Sequence, residues 1–207
     1  ILQLAKKRNV YVARVPLAKL NKITRKNHQG ALAFLSVVNF VSLANVIPAV
    51  FEAGKNPLIL VLDRVTDVRN FGAICRSAEC AGVHAVVIPK KGTVPINQDA
   101  MKTSSGALNF LSICKEDELK KTLHFLRESG LHLIACTEKT DTSIYDCDFS
   151  SPTAIVMGSE EDGIRPELIE ICDQSAKIPL RGQVSSLNVS VATGVIIYEA
   201  IRQRNID

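Results

Sequence analysis

Lys177 to Gly194 places Ser185, Ser186 and Asn188 where a short apolar strand is predicted to give way to a helix of small residues. At such a junction main-chain N–H and C=O groups are free, and a ligand can approach the backbone closely. Taken alone, Ser186 or Asn188 needs no task beyond capping the helix that follows. Two more polar clusters also follow apolar runs: Asn70 to Arg76, with Gly72 between them, and Met157 to Gly163, with Glu160 at its centre. Three polar clusters, each behind a buried strand, would converge at the carboxyl ends of an open α/β sheet, where such sheets bind ligands.

Several chemistries lack their residues. The chain has neither a G-x-G-x-x-G after its first strand nor a G-x-x-x-x-G-K-[ST] run, so a dinucleotide fingerprint and a P-loop are both missing. Its cysteines, Cys75, Cys80, Cys114, Cys136, Cys147 and Cys172, form no Cys-x-x-Cys pair and have no His at zinc spacing. They read as reduced cytosolic thiols, and no metal is expected. A serine activated by histidine is disfavoured because His28, His84, His124 and His132 all lie outside the polar clusters.

The elements that must hold these residues follow a βαβ rhythm from Asn56 onward. Strands are expected at 58–62, 85–88, 131–136, 154–157 and 176–180. Helices are expected at 70–81, 97–104, 116–129, 166–172 and 188–204. The 116–129 helix carries Leu119, Leu123 and Leu126 at three-to-four spacing and ends at Gly130. Residues 44–55, with Pro48 and Gly54, read as a linker that could hold a short helix over 46–52. Upstream, Val10 to Ala13 and Ala31 to Leu35 are expected strands around a basic loop, in a small domain expected to be only partial.

Charge divides the chain. Its first 51 residues hold Lys6, Lys7, Arg8, Arg14, Lys19, Lys22, Arg25 and Lys26 and no acid, although the whole chain of 207 residues carries only +4. The rest is therefore acidic. A basic end on an acidic body fits a polyanion held by one part and worked on by the other, or simply a solvated basic segment. No apolar run reaches the length of a membrane span, no signal peptide is visible, and a cytoplasmic setting is expected.

Read together, Asp63-x-x-x-Asp67-x-x-Asn70-x-Gly72-x-x-x-Arg76, Met157-Gly-Ser-Glu160-x-x-Gly163 and Ile178-Pro-x-x-Gly182-x-x-x-Ser186-Leu-Asn188 resemble the three motifs of the SpoU (TrmH-type) RNA ribose 2′-O-methyltransferases, in the SPOUT superfamily. The resemblance spans about residues 57–204 and is strongest to the branch that methylates guanosine in 23S rRNA. It implies a mostly parallel α/β knot, with a deep C-terminal trefoil knot, over 56–207. In front would stand a partial α+β RNA-binding domain at 1–43 and a linker at 44–55. It also implies a homodimer and S-adenosylmethionine held by Thr137, Gly158, Ile178 and Leu187. The catalytic set would be Arg76, Asn70, Glu160, Ser186 and Asn188.

In the family the motif 1 arginine is proposed to activate the ribose hydroxyl. A free guanidinium is a poor base, with a pKa above about 12, so Arg76 could instead stabilise the developing alkoxide or bind phosphate while a substrate phosphate or water takes the proton. Where the family usually has Pro after the second Asp of motif 1, this chain has Val68 and then Arg69, which should loosen that turn. The RNA is expected to be rRNA, with tRNA as the alternative; a non-catalytic RNA-binding assembly factor would have lost Asn70, Arg76 or motif 3, and all are present.

Overall fold

A computed structural model describes residues 2–7, 12–32 and 38–204. The chain divides into two compact units, 1–35 and 36–207. In the first, helices α1 (Leu2–Lys7) and α2 (Leu17–Ile23) are formed, neither of them anticipated. Of the two strands expected there, Val10, Tyr11 and Ala33 to Leu35 lie outside the described residues, while Val12, Ala13, Ala31 and Leu32 have no regular structure. Arg14, Lys19, Lys22, Arg25 and Lys26 are all exposed.

The second unit is built on seven parallel strands: β1 (Phe40–Val41), β2 (Leu58–Leu62), β3 (Ala85–Pro89), β4 (Ile113–Glu116), β5 (His132–Cys136), β6 (Thr153–Met157) and β7 (Gln174–Ala176). They lie in the order β1-β4-β3-β2-β6-β5-β7, with every pairing parallel. All residues of β2, β3 and β6 are buried, because helices cover both faces of the sheet. Alternation along each strand splits the core in two. Leu58, Leu60, Leu62, Val86, Ile88, Ile155 and Met157 pack on one side with α4 (Val68–Cys80) and α8 (Val189–Arg204). Ile59, Val61, Val87, Leu133 and Val156 face α3 (Leu43–Glu52), α6 (Leu119–Glu128) and α7 (Pro166–Ile169) on the other.

Most of the α/β elements fall where hydrophobic pattern placed them. Four do not. Helix α3 occupies the stretch read as a linker: Leu43, Ile47 and Val50 share one buried face, and this apolar stripe outweighs the main-chain bond that Pro48 cannot donate. Strand β4, not expected, reaches Glu116, where the long amphipathic helix was expected to begin, and α6 starts only at Leu119. Helix α7 stops at Ile169; its continuation tightens into turns, with Ile171 and Cys172 donating to Leu168 and Ile169, and Asp173 then joins the sheet through Leu133. The last strand is β7 at 174–176 rather than 176–180. Beyond Ala176 the chain leaves β5, and the Lys177 N–H turns to the Thr142 carbonyl at 2.9 Å.

The order of the strands decides where ligands can sit. Chain direction across the sheet reverses at β2, which has β3 on one side and β6 on the other. The crevice outside such a switch point is the usual ligand position in open α/β sheets. All three polar clusters emerge at this end, after β2, β6 and β7.

Candidate active site

A cavity of about 400 Å³ opens beyond the carboxyl ends of β5, β6 and β7. That volume lies within the span of roughly 300–1,000 Å³ common to small-molecule sites. Thr137, Gly158, Ile178 and Leu187, the four residues expected to hold a cofactor, all line it, as do Glu160 and Ser186. Asn70, Arg76 and Asn188 are not part of its wall. Two of these three are joined to it through Glu160.

Asn188 supplies that join. Its Nδ2 donates to Asn70 Oδ1 at 3.0 Å and also to Glu160 Oε1. Its own Oδ1 accepts from Ser190 N at 3.0 Å and Val191 N at 3.4 Å, which satisfies free donors at the start of α8. Glu160 Oε1 accepts from Val189 N as well, at 3.4 Å. Asn188 is therefore a helix cap and the centre of a polar cluster at once, with its oxygen spent on the helix and its nitrogen on the site. Asn70 is positioned from its own side by Asp67, whose Oδ1 accepts from Arg69 N and Asn70 N at 2.9 and 2.8 Å. This cap fixes the start of α4, where Val68 stands in the place the family usually gives to Pro.

The loop after β6 is folded tightly on itself. Ser159 and Gly163 exchange main-chain bonds of 3.2 and 3.1 Å, and Gly163 has φ +68. A Cβ on Gly158 would lie 2.0 Å from the Gly163 carbonyl carbon. Gly158 is thus required by the chain's own close approach. Gly72 serves α4 in the same way: a Cβ there would lie 1.9 Å from Thr103 Oγ1 on the neighbouring short helix α5 (Gln98–Thr103).

Arg76 is exposed on α4 and makes no hydrogen bond or ion pair with any described residue. Ser186 is also exposed, in the irregular stretch before α8. The cavity can accept a cation: Glu138, Glu160, Glu161 and Asp162 line it against two lysines, Lys139 and Lys177. It is acidic. Ile178 and Leu187 make no main-chain hydrogen bonds among the described residues, leaving donors and acceptors at the wall for a bound molecule. Cys136 reaches the wall too, but burial pushes its thiol far up, with Cys147 and Cys172 adding in the same direction, so no thiolate is available there.

Residues 57–198 match the model of the SpoU rRNA Methylase family. The chain belongs to this family. Over 162 residues it is 43% identical to the 23S rRNA (guanosine-2′-O-)-methyltransferase RlmB of Yersinia pestis, covering 78% of this chain and 66% of the relative. It is 40% identical over 178 residues to RlmB of Vibrio parahaemolyticus, covering 86% and 72%. Among solved structures it resembles the SpoU methyltransferase AviRb of Streptomyces viridochromogenes in complex with AdoMet. That match has a TM-score of 0.67 and 30% identity, over 72% of this chain and 58% of AviRb. The chain therefore spans less than two thirds of the Yersinia relative and of AviRb.

For a SpoU-family chain the motif residues were legible in sequence, but their supports were not. Asp63 is fully buried and accepts from Arg165 N at 3.0 Å and from Arg165 Nε at 3.0 and 3.2 Å. Arg64 adds a second cation, its Nε 3.6 Å from Asp63 Oδ2. Asp63 was legible as a motif position, without a role. Nothing in the sequence marks Arg64 or Arg165 as its partners, since 102 positions separate Asp63 from Arg165.

Proposed function

We propose that the chain methylates a ribose 2′-hydroxyl in RNA, that of a guanosine in 23S rRNA, with S-adenosylmethionine as donor. The observation that carries this reading is the junction of Asn70, Glu160 and Asn188 beside an acidic cavity lined by Thr137, Gly158, Ile178 and Leu187. When bound, the donor supplies an electrophilic methyl group on a sulfonium. The free main-chain groups of Ile178 and Leu187 suit its adenine and ribose edges, and the surrounding carboxylates suit its positive charge.

The protein must align O2′ in line with the methyl carbon and dispose of one proton. Asn70, held by Asp67 and Asn188, can orient the ribose. Glu160 keeps the loop after β6 against the start of α8. Arg76, with no partner among the described residues, is available to the substrate as a stabiliser of the developing alkoxide or as a phosphate ligand. Ser186 completes the wall on the loop side. Residues 1–43 supply exposed Lys and Arg for phosphate contacts that position RNA without reading its sequence. A homodimer is part of the same reading, supported by the exposed Val184, Leu187, Val191 and Tyr198 along α8 and the loop before it.

Mapping 2′-O-methylation in rRNA and tRNA from cells lacking the protein tests this reading. Loss of one 23S rRNA guanosine mark is expected. Loss of a tRNA mark would move the substrate, and no lost mark would overturn catalysis.

A further inference from the structure

The motif 2 loop is suspended from two sides. On one side Glu160 is bound to Asn188 and Val189 at the start of α8. On the other, Arg64, just past the end of β2, donates from one terminal nitrogen to Asp162 Oδ2 at 3.0 Å and from the other to the Gly163 carbonyl at 3.3 Å. Arg64 itself does not line the cavity, but Asp162 and Gly163 do. It adopts φ +57, a left-handed conformation that suits glycine and is unfavourable for an arginine. Its Nε is buried with no hydrogen-bond partner, held only by the charge of Asp63 at 3.6 Å.

The geometry points to Arg64 as a positioning residue for the donor cavity, a latch that acts through Asp162 and Gly163. A local conformation that disfavours this residue type is retained while its side chain bridges β2 to a loop 98 and 99 positions away. Without the bridge, residues 161–163 keep only the bonds of their own turn to Ser159 and the tether at Glu160, and the turn can pivot out of the cavity wall. The latch also neutralises Asp162, which stands among Glu160 and Glu161, and so limits repulsion within the loop. Because Asp63 is gripped by Arg165 at the same time, the anchor is rigid. This inference rests on the cavity being the S-adenosylmethionine site.

The test compares the full chain with its Arg64→Gly, Arg64→Lys and Asp162→Asn variants by amide hydrogen exchange, calorimetric titration with S-adenosylmethionine and thermal unfolding. Glycine accepts the backbone conformation, so Arg64→Gly removes the bridge without adding strain. Exchange at the Gly163 amide, which bonds the Ser159 carbonyl, should speed by about fivefold or more in Arg64→Gly with no donor present. The donor Kd should rise about three- to tenfold in that variant and in Asp162→Asn, with Tm within about 3 °C of the parent. Arg64→Lys, which keeps one of the two bonds, should fall between. Unchanged exchange at Gly163 in Arg64→Gly would overturn the latch, as would faster exchange spread evenly through the sheet with a matching fall in Tm. Exchange needs no donor, so a parent that fails to bind S-adenosylmethionine would count against the methyltransferase reading while the latch is still decided.

Discussion

The side-chain amide nitrogen of Asn188 lies 3.0 Å from the amide oxygen of Asn70, its partner 118 positions earlier in the chain. That bond ties the first turn of α8 to the first turn of α4, and the two helices pack on the same face of the sheet. Capping and the proposed part in methyl transfer can be separated at Asn188 by choice of substitution. Asn188→Ser keeps an oxygen for the helix but loses the nitrogen that reaches Asn70 and Glu160. Stability should stay within about 0.5 kcal/mol of the parent in Asn188→Ser and fall by about 1 kcal/mol in Asn188→Ala. Methyl transfer should fall alike in both, by about a hundredfold. Denaturant melts and single-turnover assays on an rRNA fragment read the two effects, and full activity in Asn188→Ser would leave the residue only its cap.

Arg76 gives the opposite signature. Its side chain is exposed and bonds no described residue, so Arg76→Ala should change stability by no more than about 0.5 kcal/mol. It is absent from the cavity wall, so donor affinity should hold. Methyl transfer should drop by about 10²–10³, the usual cost of losing a group that stabilises developing negative charge. A donor Kd that rises in step with the lost rate would place Arg76 in the cofactor site instead.

The contrast between these residues and their supports explains what the sequence could reveal. Buried parallel strands such as Leu58–Leu62 and Thr153–Met157 are near-continuous apolar runs, and their positions follow from that alone. Strand β7, Gln174–Ala176, carries two polar residues in three and has no such signal; β5 and the Asp173 main chain recruit it. Helix α3 was legible only as a short helix that could lie over 46–52, because the buried stripe that extends it back to Leu43 shows only against a sheet that it must cover. At the site, Asn70, Glu160 and Asn188 could be singled out as residue types in motifs. Their mutual bonds, and the left-handed backbone of Arg64, depend on a fold that brings remote segments together.

Gly158 should tolerate no side chain. Its virtual Cβ meets main chain, at 2.0 Å from the Gly163 carbon and 2.2 Å from Ile164 N, and neither can swing aside as a flexible side chain would. Gly158→Ala must displace the motif 2 loop or the end of β6, at an expected cost of about 2–4 kcal/mol, together with loss of donor binding. Thermal unfolding and titration calorimetry measure both. A variant with parental Tm and affinity would show that the loop yields freely, which would also weaken the case for an anchored wall.

His84 makes the fold sensitive to acid at a place remote from the Asn70–Glu160–Asn188 cluster. Its Nδ1 accepts the Leu58 N–H at 3.0 Å, so the ring carries its proton on Nε2. Burial, then the charges of Arg204 and Lys55, lower its pKa. Arg204 is fixed there by bonds to the carbonyls of Asn56, Pro57, Phe149 and Ser151. With the folded pKa below the unfolded value of about 6.5, the unfolded chain binds more protons as pH falls. The stabilisation from neutral His84 is therefore complete above pH about 6.5 and is lost as pH drops through the lower folded value, with a slope no steeper than about 1.4 kcal/mol per pH unit. In His84→Asn, whose amide oxygen can replace Nδ1 as acceptor, that slope should disappear from urea unfolding midpoints measured between pH 7.5 and 5 (about the range in which an unperturbed His titrates). An identical slope in parent and variant would assign the acid sensitivity to other groups.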